Sequence, residues 1–524
     1  MANDSSETSP AQPFVNPWLI SVAVMLGTFM EVLDTTVVNV SLPHIAGNLS
    51  ATVDEATWVL TSYLVANAIV LPLTGWLSNH FGRKRVLMTS ITGFTIASVL
   101  CGMAPNLPFL IIFRVMQGAC GGGLQPLSQA IMLEAFPPEE RGKAMAFWGL
   151  GIVVAPMLGP VMGGWITDSY SWRWIFYINL PVGAAGLIMS KLFIFDPPYI
   201  KRQAGGVDYW GIGLLAVGIG ALQVMLDKGQ EDDWFTSHFI LILAIVAAIG
   251  LTAFLIHELL DRHPVVNLRV FRVRTYSTGV FLMTTLGFGL YGSMVLIPIL
   301  LQTLLGYPAM NAGLAMLPRG LGSFIAMPIV GALLSKFEAR KLLTGGLLGA
   351  AFSMYALSHL NLNAGYWDIA WPQFIQGFAL GFIFVPLTTA THDPIAKEQM
   401  GNATSIFNVM RNIGGSVGIA GATTIVARDT QTHINNLVTH VTGYDMATRQ
   451  MINAARAGFM ARGMDFGTAT HQAYAAVFGM IARQSSMISF NAAFFLLGIL
   501  FLVVTPMILL MRKPKHKGAA VAAH

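Results

Sequence analysis

The chain has 524 residues, 54% of them hydrophobic and only 10% charged, and its mean hydropathy is +0.63. Soluble domains carry about 25% charged residues, so an ordinary soluble fold is excluded. The formal charge of +5 lies in short basic clusters between apolar runs, which argues for a membrane protein and against nucleic-acid binding, and the only cysteines, Cys101 and Cys120, offer no disulfide framework.

Residues 1–16 contain no Lys or Arg and no apolar core, so no cleavable signal peptide is expected. Crossing the hydrocarbon takes about 20 mostly apolar residues in a helix, because a lipid-exposed backbone must satisfy its own hydrogen bonds. Runs of this kind predict fourteen spans. The first six lie near 18–42, 56–78, 86–104, 107–133, 142–166 and 173–195, and two more near 208–226 and 237–257. The last six lie near 276–304, 309–335, 341–359, 368–390, 402–428 and 485–511. With the N-terminus inside, most Lys and Arg fall in inside loops or the tail. Among them are Arg83, Lys84, Arg85, Arg141, Lys143, Lys201, Arg202, Arg262, Lys336, Lys397, Arg512, Lys513, Lys515 and Lys517, whereas the short outside loops hold Arg173 and Lys228. That asymmetry fits both termini being cytoplasmic.

An internal repeat is visible. Pro72, Gly75, Leu77, Phe81, Lys84 and Arg85 recur as Pro328, Gly331, Leu333, Phe337, Arg340 and Lys341, and Gln117-Gly118 recurs as Gln376-Gly377. The expected organisation is an all-α membrane protein of two six-helix bundles, 1–198 and 263–524, with two linker helices inserted at 199–262. Duplicated bundles of this kind place a substrate site near the midplane. A long outside loop, 429–484, is expected to carry an amphipathic helix between Met451 and Arg483.

Only two acidic residues, Glu31 and Asp34, lie well inside a span, on one face of the first helix. Intramembrane carboxylates mark proton or ion relays, although they can also line a hydrated structural pocket. Arg114 in the fourth span lies at matching depth, roughly 10 Å from the outer surface against roughly 13 Å for Asp34. Such an Arg competes with the proton for the carboxylate. Arg319 and Arg411 are further intramembrane cations that either serve the transport path or pair with backbone carbonyls. Asn39, Gln117, Gln302 and Asn408 are expected to line a cavity, the competing reading being that they hold helices together.

Other chemistries find no support. There is no G-x-x-x-x-G-K-[ST] loop for ATP, no zincin spacing of histidines and no G-x-S-x-G nucleophile. Gly287, Gly289 and Gly292 match a dinucleotide fingerprint but lie within an apolar helix. No metal and no cofactor are expected, and with ATP unsupported the buried charges point to a transporter coupled to an ion or proton gradient.

Four segments resemble motifs of the major facilitator superfamily. GWLSNHFGRKR (Gly75 to Arg85) is similar to its loop motif between the second and third helices, with Gly75, Gly82 and Arg83 in place. Asn79 stands where an acidic residue is usual, which puts a charge relay through that position in doubt. RVMQGACGGG (Arg114 to Gly123) resembles the helix-four motif associated with proton transfer. APMLGPVMGG (Ala155 to Gly164) resembles the antiporter motif of exporters, which implies conformational roles for Pro156, Gly159, Pro160, Gly163 and Gly164. LDTTVVNVSLP (Leu33 to Pro43) resembles the signature of the fourteen-helix drug:proton antiporter branch. Further segments resemble the EmrB-like inner-membrane subunits of tripartite efflux pumps.

The resemblance implies a proton-coupled antiporter in a bacterial inner membrane that exports hydrophobic or amphipathic drugs and toxic compounds. Proton coupling falls to Glu31, Asp34 and Arg114, and substrate contact to Asn39, Gln117, Gln302, Asn408 and Arg411. Besides substrates and membrane lipid, the implied partners are a periplasmic adaptor protein and an outer-membrane channel, with no nucleic acid. The alternatives are a lipid or metabolite exporter of the same superfamily and, from a different class, a membrane-embedded enzyme.

Overall fold

The computed structural model describes residues 16–196, 208–261, 264–442 and 444–511, and among these it is helical with no strand. The basic residues Lys201, Arg202, Arg262, Arg512, Lys513, Lys515 and Lys517, the segment 1–15 and the proposed bundle boundaries near 198 and 262 lie outside the described residues.

Seventeen α-helices follow in chain order among the described residues. They are α1 (Pro17–Asn48), α2 (Val53–Phe81), α3 (Arg83–Met103), α4 (Leu107–Gly121), α5 (Leu124–Ala135), α6 (Arg141–Ser169), α7 (Trp174–Tyr177), α8 (Asn179–Phe193), α9 (Tyr209–Lys228) and α10 (His238–Leu260). Then come α11 (Arg274–Ile299), α12 (Ala309–Leu333), α13 (Ala339–Leu357), α14 (Tyr366–His392), α15 (Met400–Val438), α16 (Met446–Met460) and α17 (Phe466–Val504). Their starts are set by side chains that satisfy orphan amides. Asn16 caps α1, Asn106 caps α4, and Thr52 and Glu55 form a reciprocal capping box on α2.

A helix occupies each of the fourteen predicted positions, but twelve are long and apolar enough to cross a membrane. The two that fall short are α13 and α15. α15 carries Asn402, Asn408, Arg411 and Asn412 because its residues face protein rather than lipid, being buried almost continuously from Met400 to Asn408. The predicted helix 107–133 is two pieces, α4 and α5, which meet at Gly121, Gly122 and Gly123.

The long outside loop is corrected by the structure. α15 runs on to Val438 and α17 begins at Phe466, so 429–484 is mainly helix, with α16 packed on α17 between them. No Pro occurs from 395 to 505, so the helices continue where hydropathy falls. The expected amphipathic stretch is split near Gly463, which has φ +91°. Asp445 and Asp465 cap α16 and α17; each accepts from a threonine, Thr448 and Thr468, and is thereby held below the usual carboxylate range.

Helices α1–α8 pack on one another, as do α11–α17. α6 meets α12 and α14, while α2 and α5 meet α15. The α9–α10 pair leans on α2 and α15. The glycines of the 155–164 segment set the α1–α6 contact. A Cβ at Gly163 would stand 2.9 Å from the Val37 carbonyl oxygen, and one at Gly159 would collide with Thr36. Pro156 and Pro160 lie inside α6, Pro160 on an exposed face, and a Cβ at Gly164 would meet nothing within 4 Å.

Overpacking a tight contact costs about 1–3 kcal/mol. Gly163→Val should therefore lower the melting temperature of the detergent-solubilised protein by several degrees, whereas Gly164→Ala should leave it unchanged; equal effects would refute this account of the α1–α6 interface.

Candidate functional site

Asp34 and Arg114 meet at a position from which water is fully excluded, each side chain having 0% exposure. Arg114 Nη1 lies 2.5 Å from Asp34 Oδ2 and also donates to Gln117 Oε1 at 2.8 Å, while Nε donates to the Val59 carbonyl at 3.1 Å. The other carboxylate oxygen, Oδ1, accepts from Gln117 at 2.9 Å and from Asn179 at 2.8 Å. The guanidinium also sits 4.1 Å from the Tyr63 ring centroid. The site thus draws on α1, α2, α4 and α8, inside an apolar cluster that includes Leu33, Val37, Val59 and Phe176. Burying two charges costs several kcal/mol per ion, and only such dense hydrogen bonding offsets it.

Glu31, one turn away, is held separately. Its Oε1 accepts from Asn67 at 3.0 Å and its Oε2 from Gln125 at 2.6 Å. Gln125 turns its carbonyl oxygen to Arg411 on α15. Glu31, Gln125 and Arg411 therefore form a chain from α1 through α5 to the C-terminal helix group. Beside it Asn408 donates to Gln129 at 2.6 Å, and Trp148 stacks on Phe384 with centroids 5.8 Å apart.

The two helix groups approach backbone to backbone at the end bearing the basic loops. A Cβ at Gly75 would stand 2.7 Å from Asn402 Cα, and one at Gly331 would stand 3.0 Å from Ala146 Cβ. Arg141 faces Asp393 at 3.8 Å, and Arg83 donates to the Lys397 carbonyl at 3.5 Å. Gly82 takes φ +92°, a left-handed conformation that places the α2–α3 turn against Asp196. Arg83 pairs with Glu134 at the end of α5. Asp196 accepts from the Lys84 amide at 2.9 Å. Acidic groups distant in sequence thus surround the loop motif in which Asn79 replaces the usual acid.

Glu31, Asp34, Arg114, Gln117, Asn408 and Arg411 all enter buried polar networks, with Gln117 serving the Asp34 site and Asn408 the contact between groups. Asn39 and Gln302 are exposed and lie outside these networks. Arg319 donates to the Leu290 carbonyl at 3.3 Å, the backbone pairing held open for it. Asn67, Gln125, Gln129, Glu134 and Asn179 join these contacts without standing out in the sequence. For Gln125 the available signal was its position just after the triple glycine, one helix face from Gln129. Gly287 and Gly292 serve close packing of α11 on α15.

Comparison with known proteins gives concordant matches. A model described as Major Facilitator Superfamily matches residues 24–419. The multidrug export protein EmrB of Haemophilus influenzae is 41% identical over 487 residues, covering 92% of this chain and 93% of that protein. The fatty acid resistance protein FarB of Neisseria gonorrhoeae is 38% identical over 502 residues, covering 95% and 97%. The EmrB of Escherichia coli K12 is also 38% identical, covering 95% and 96%. Among solved structures, the proton:xylose symporter XylE superposes with a TM-score of 0.59 at 16% identity, covering 94% of each chain. The human organic anion transporter MFSD10 gives 0.56 at 14%, covering 94% and 100%. These two likenesses concern the fold alone.

Removing one partner of a buried ion pair costs about 3–5 kcal/mol, because the other is left uncompensated. Arg114→Leu should accordingly lower thermal stability in detergent strongly, and adding Asp34→Asn should restore much of the loss; additive losses in the double variant would show that the pair is not energetically coupled.

Proposed function

The chain belongs to the major facilitator superfamily, and from that premise we propose that it is a proton-coupled antiporter exporting hydrophobic or amphipathic toxic compounds. The observation that carries this reading is the dry Asp34–Arg114 pair. An inbound proton neutralises Asp34 and frees Arg114 from its carboxylate. Arg114 then rests on Gln117, Val59 and the Tyr63 ring until the proton leaves and the ion pair re-forms. Glu31 reports to the second helix group through Gln125 and Arg411. A proton on Glu31 weakens the hold on Gln125, and with it the tie to α15. The coupling residues of this reading are Glu31, Asp34 and Arg114. Substrate contact falls to Gln117, Asn408 and Arg411 with the exposed Asn39 and Gln302.

The halves of the rocking movement are 1–198 and 263–524, with the 199–262 pair inserted. The tight end, at Gly75–Asn402 and Gly142–Leu334, is the cytoplasmic one, so the conformation is closed towards the cytoplasm. The membrane is a bacterial inner membrane, with both termini inside and lipid around the spans. No enzymatic step and no nucleic acid belong to this reading. A second reading, export of amphipathic acids or lipids, has its own support in the FarB relative.

The helical extension of α15, α16 and α17 faces the periplasm in this scheme. It presents Tyr444, Met446, Phe466, Tyr474 and Phe478 as exposed side chains. It is a docking surface for a periplasmic adaptor that leads to an outer-membrane channel. The competing role is a brace for the transporter itself.

In proteoliposomes with an imposed pH gradient, Asp34→Asn should abolish drug export while the protein remains folded; full export would sink the coupling role. Gln125→Leu should slow export without abolishing substrate binding, measured by ligand-induced fluorescence change. Excising 440–465 with a short linker should spare export in proteoliposomes and remove resistance in cells if the extension docks an adaptor. Equal failure in both settings would make it a brace.

A further inference from the structure

At the cytoplasmic end of the inserted pair, on the orientation given above, three ligand-type side chains converge outside the transport site, with a fourth, the buried Glu258, beside them. Asp208 caps α9, its Oδ1 accepting from the Gly211 amide at 2.8 Å. His257 Nε2 lies 3.0 Å and 2.9 Å from the two Asp208 oxygens and 3.7 Å from Asp261 Oδ2. One donor atom each from Asp208, His257 and Asp261 fall within 4.8 Å of one another. His257 and Asp261 are four apart on α10, hence on one face. Around a four-coordinate ion with ligand distances of about 2.1 Å, donor atoms stand roughly 3.4 Å apart, a value these separations bracket.

A second observation lies beside that group, at Gly211. Glu258 is 3% exposed, and its Oε1 has no hydrogen-bond partner among the described residues, while Oε2 accepts from the Val266 amide at 3.2 Å. A Cβ built on Gly211 would stand 3.0 Å from that orphan oxygen and would collide with the Asp208 carboxylate. The two carboxylates therefore flank a space that only glycine leaves open. Three of the four groups also crowd the last turn of α10, where the helix presents its negative end and favours cations. A single imidazole is a weak counterweight to three carboxylates.

We propose that Asp208, His257, Glu258 and Asp261 bind one divalent transition-metal ion that clamps the start of α9 to the end of α10. One imidazole nitrogen with carboxylate oxygens suits Zn²⁺ or Mn²⁺ better than Mg²⁺, which keeps waters and prefers oxygen alone. The ion would also fix the segment entering α11, because Glu258 holds the Val266 amide.

The test uses the full chain, stripped with chelator in detergent and titrated with Zn²⁺, Mn²⁺ and Mg²⁺, with bound metal counted after desalting. One equivalent of Zn²⁺ or Mn²⁺ is expected, with Mg²⁺ much weaker. His257→Ala and Asp261→Asn should each weaken binding at least about ten-fold, whereas His433→Ala, a control at the separate Asp429 pair, should not. Less than one equivalent, an affinity unchanged in a combined Asp208→Asn/His257→Ala/Asp261→Asn variant, or Mg²⁺ bound as tightly as Zn²⁺ would overturn the site. Hydrogen exchange on the unmutated protein provides a reading independent of variant folding. Zn²⁺ should slow exchange around 208–212 and 257–261, and protection confined to other regions would likewise overturn it.

Discussion

The arrangement depends on one constraint: two opposite charges held where no water reaches them. Asp34 and Arg114 bring a large desolvation cost into the membrane, and attraction between them offsets it only with dense further hydrogen bonding, which here leaves Arg114 Nη2 without an acceptor. That demand explains why Gln117, Asn179, the Val59 carbonyl and the Tyr63 ring gather there. It also ties α1 to α2, α4 and α8, so that a change in the charge of Asp34 is felt by four helices at once. A lone carboxylate in the same place would be a burden without a consequence for its neighbours.

The contact between the two helix groups follows a matching rule. Gly75 on the second helix of one group meets the fifth span of the other at Asn402, and Gly331 on the second helix of that group meets the fifth span of the first at Ala146. The sequence repeat that pairs Gly75 with Gly331 therefore corresponds to two equivalent close approaches. Both let backbones meet at distances a larger residue would forbid, which makes closure a matter of van der Waals fit rather than of strong bonds. Polar ties such as Asn408–Gln129 and Arg141–Asp393 are few and individually breakable. An interface of this kind can open without a prohibitive loss.

What was legible in the amino-acid sequence was what stands out chemically from its surroundings. Charges in an apolar run identified Glu31, Asp34 and Arg114, and helix rise alone placed the last two at compatible depths. Their neutral partners were hidden, since Asn179 and Asn67 differ little from any polar residue near a span, and which face they present depends on tertiary packing. Glu134 was hidden for another reason: at the end of α5 it looks like a solvated surface acid, and only the fold turns it towards Arg83. In the 429–484 region the helical stretch expected between Met451 and Arg483 is present as α16 and the start of α17, while the extension of α15 to Val438 was hidden because hydropathy measures lipid exposure, whereas helix continuity depends on the absence of Pro and on side chains compatible with the helix. α15, expected as the span 402–428, shows the converse: it falls short of the apolar character of a membrane-crossing helix because it is enclosed by others.

The continuity of α17 has a mechanical consequence. The helix runs from Phe466 to Val504 without interruption, although the sequence starts its membrane segment only near 485. The portion beyond that point is a stiff arm of about 28 Å at 1.5 Å per residue. Each 10° of tilt within the bilayer would carry its tip sideways by about 5 Å by the same geometry, enough to shift whatever rests on it by the width of a side chain. A hydrolytic motor would be unnecessary for such a stroke if, as proposed, the bundle rocks, since that movement would itself be the crank.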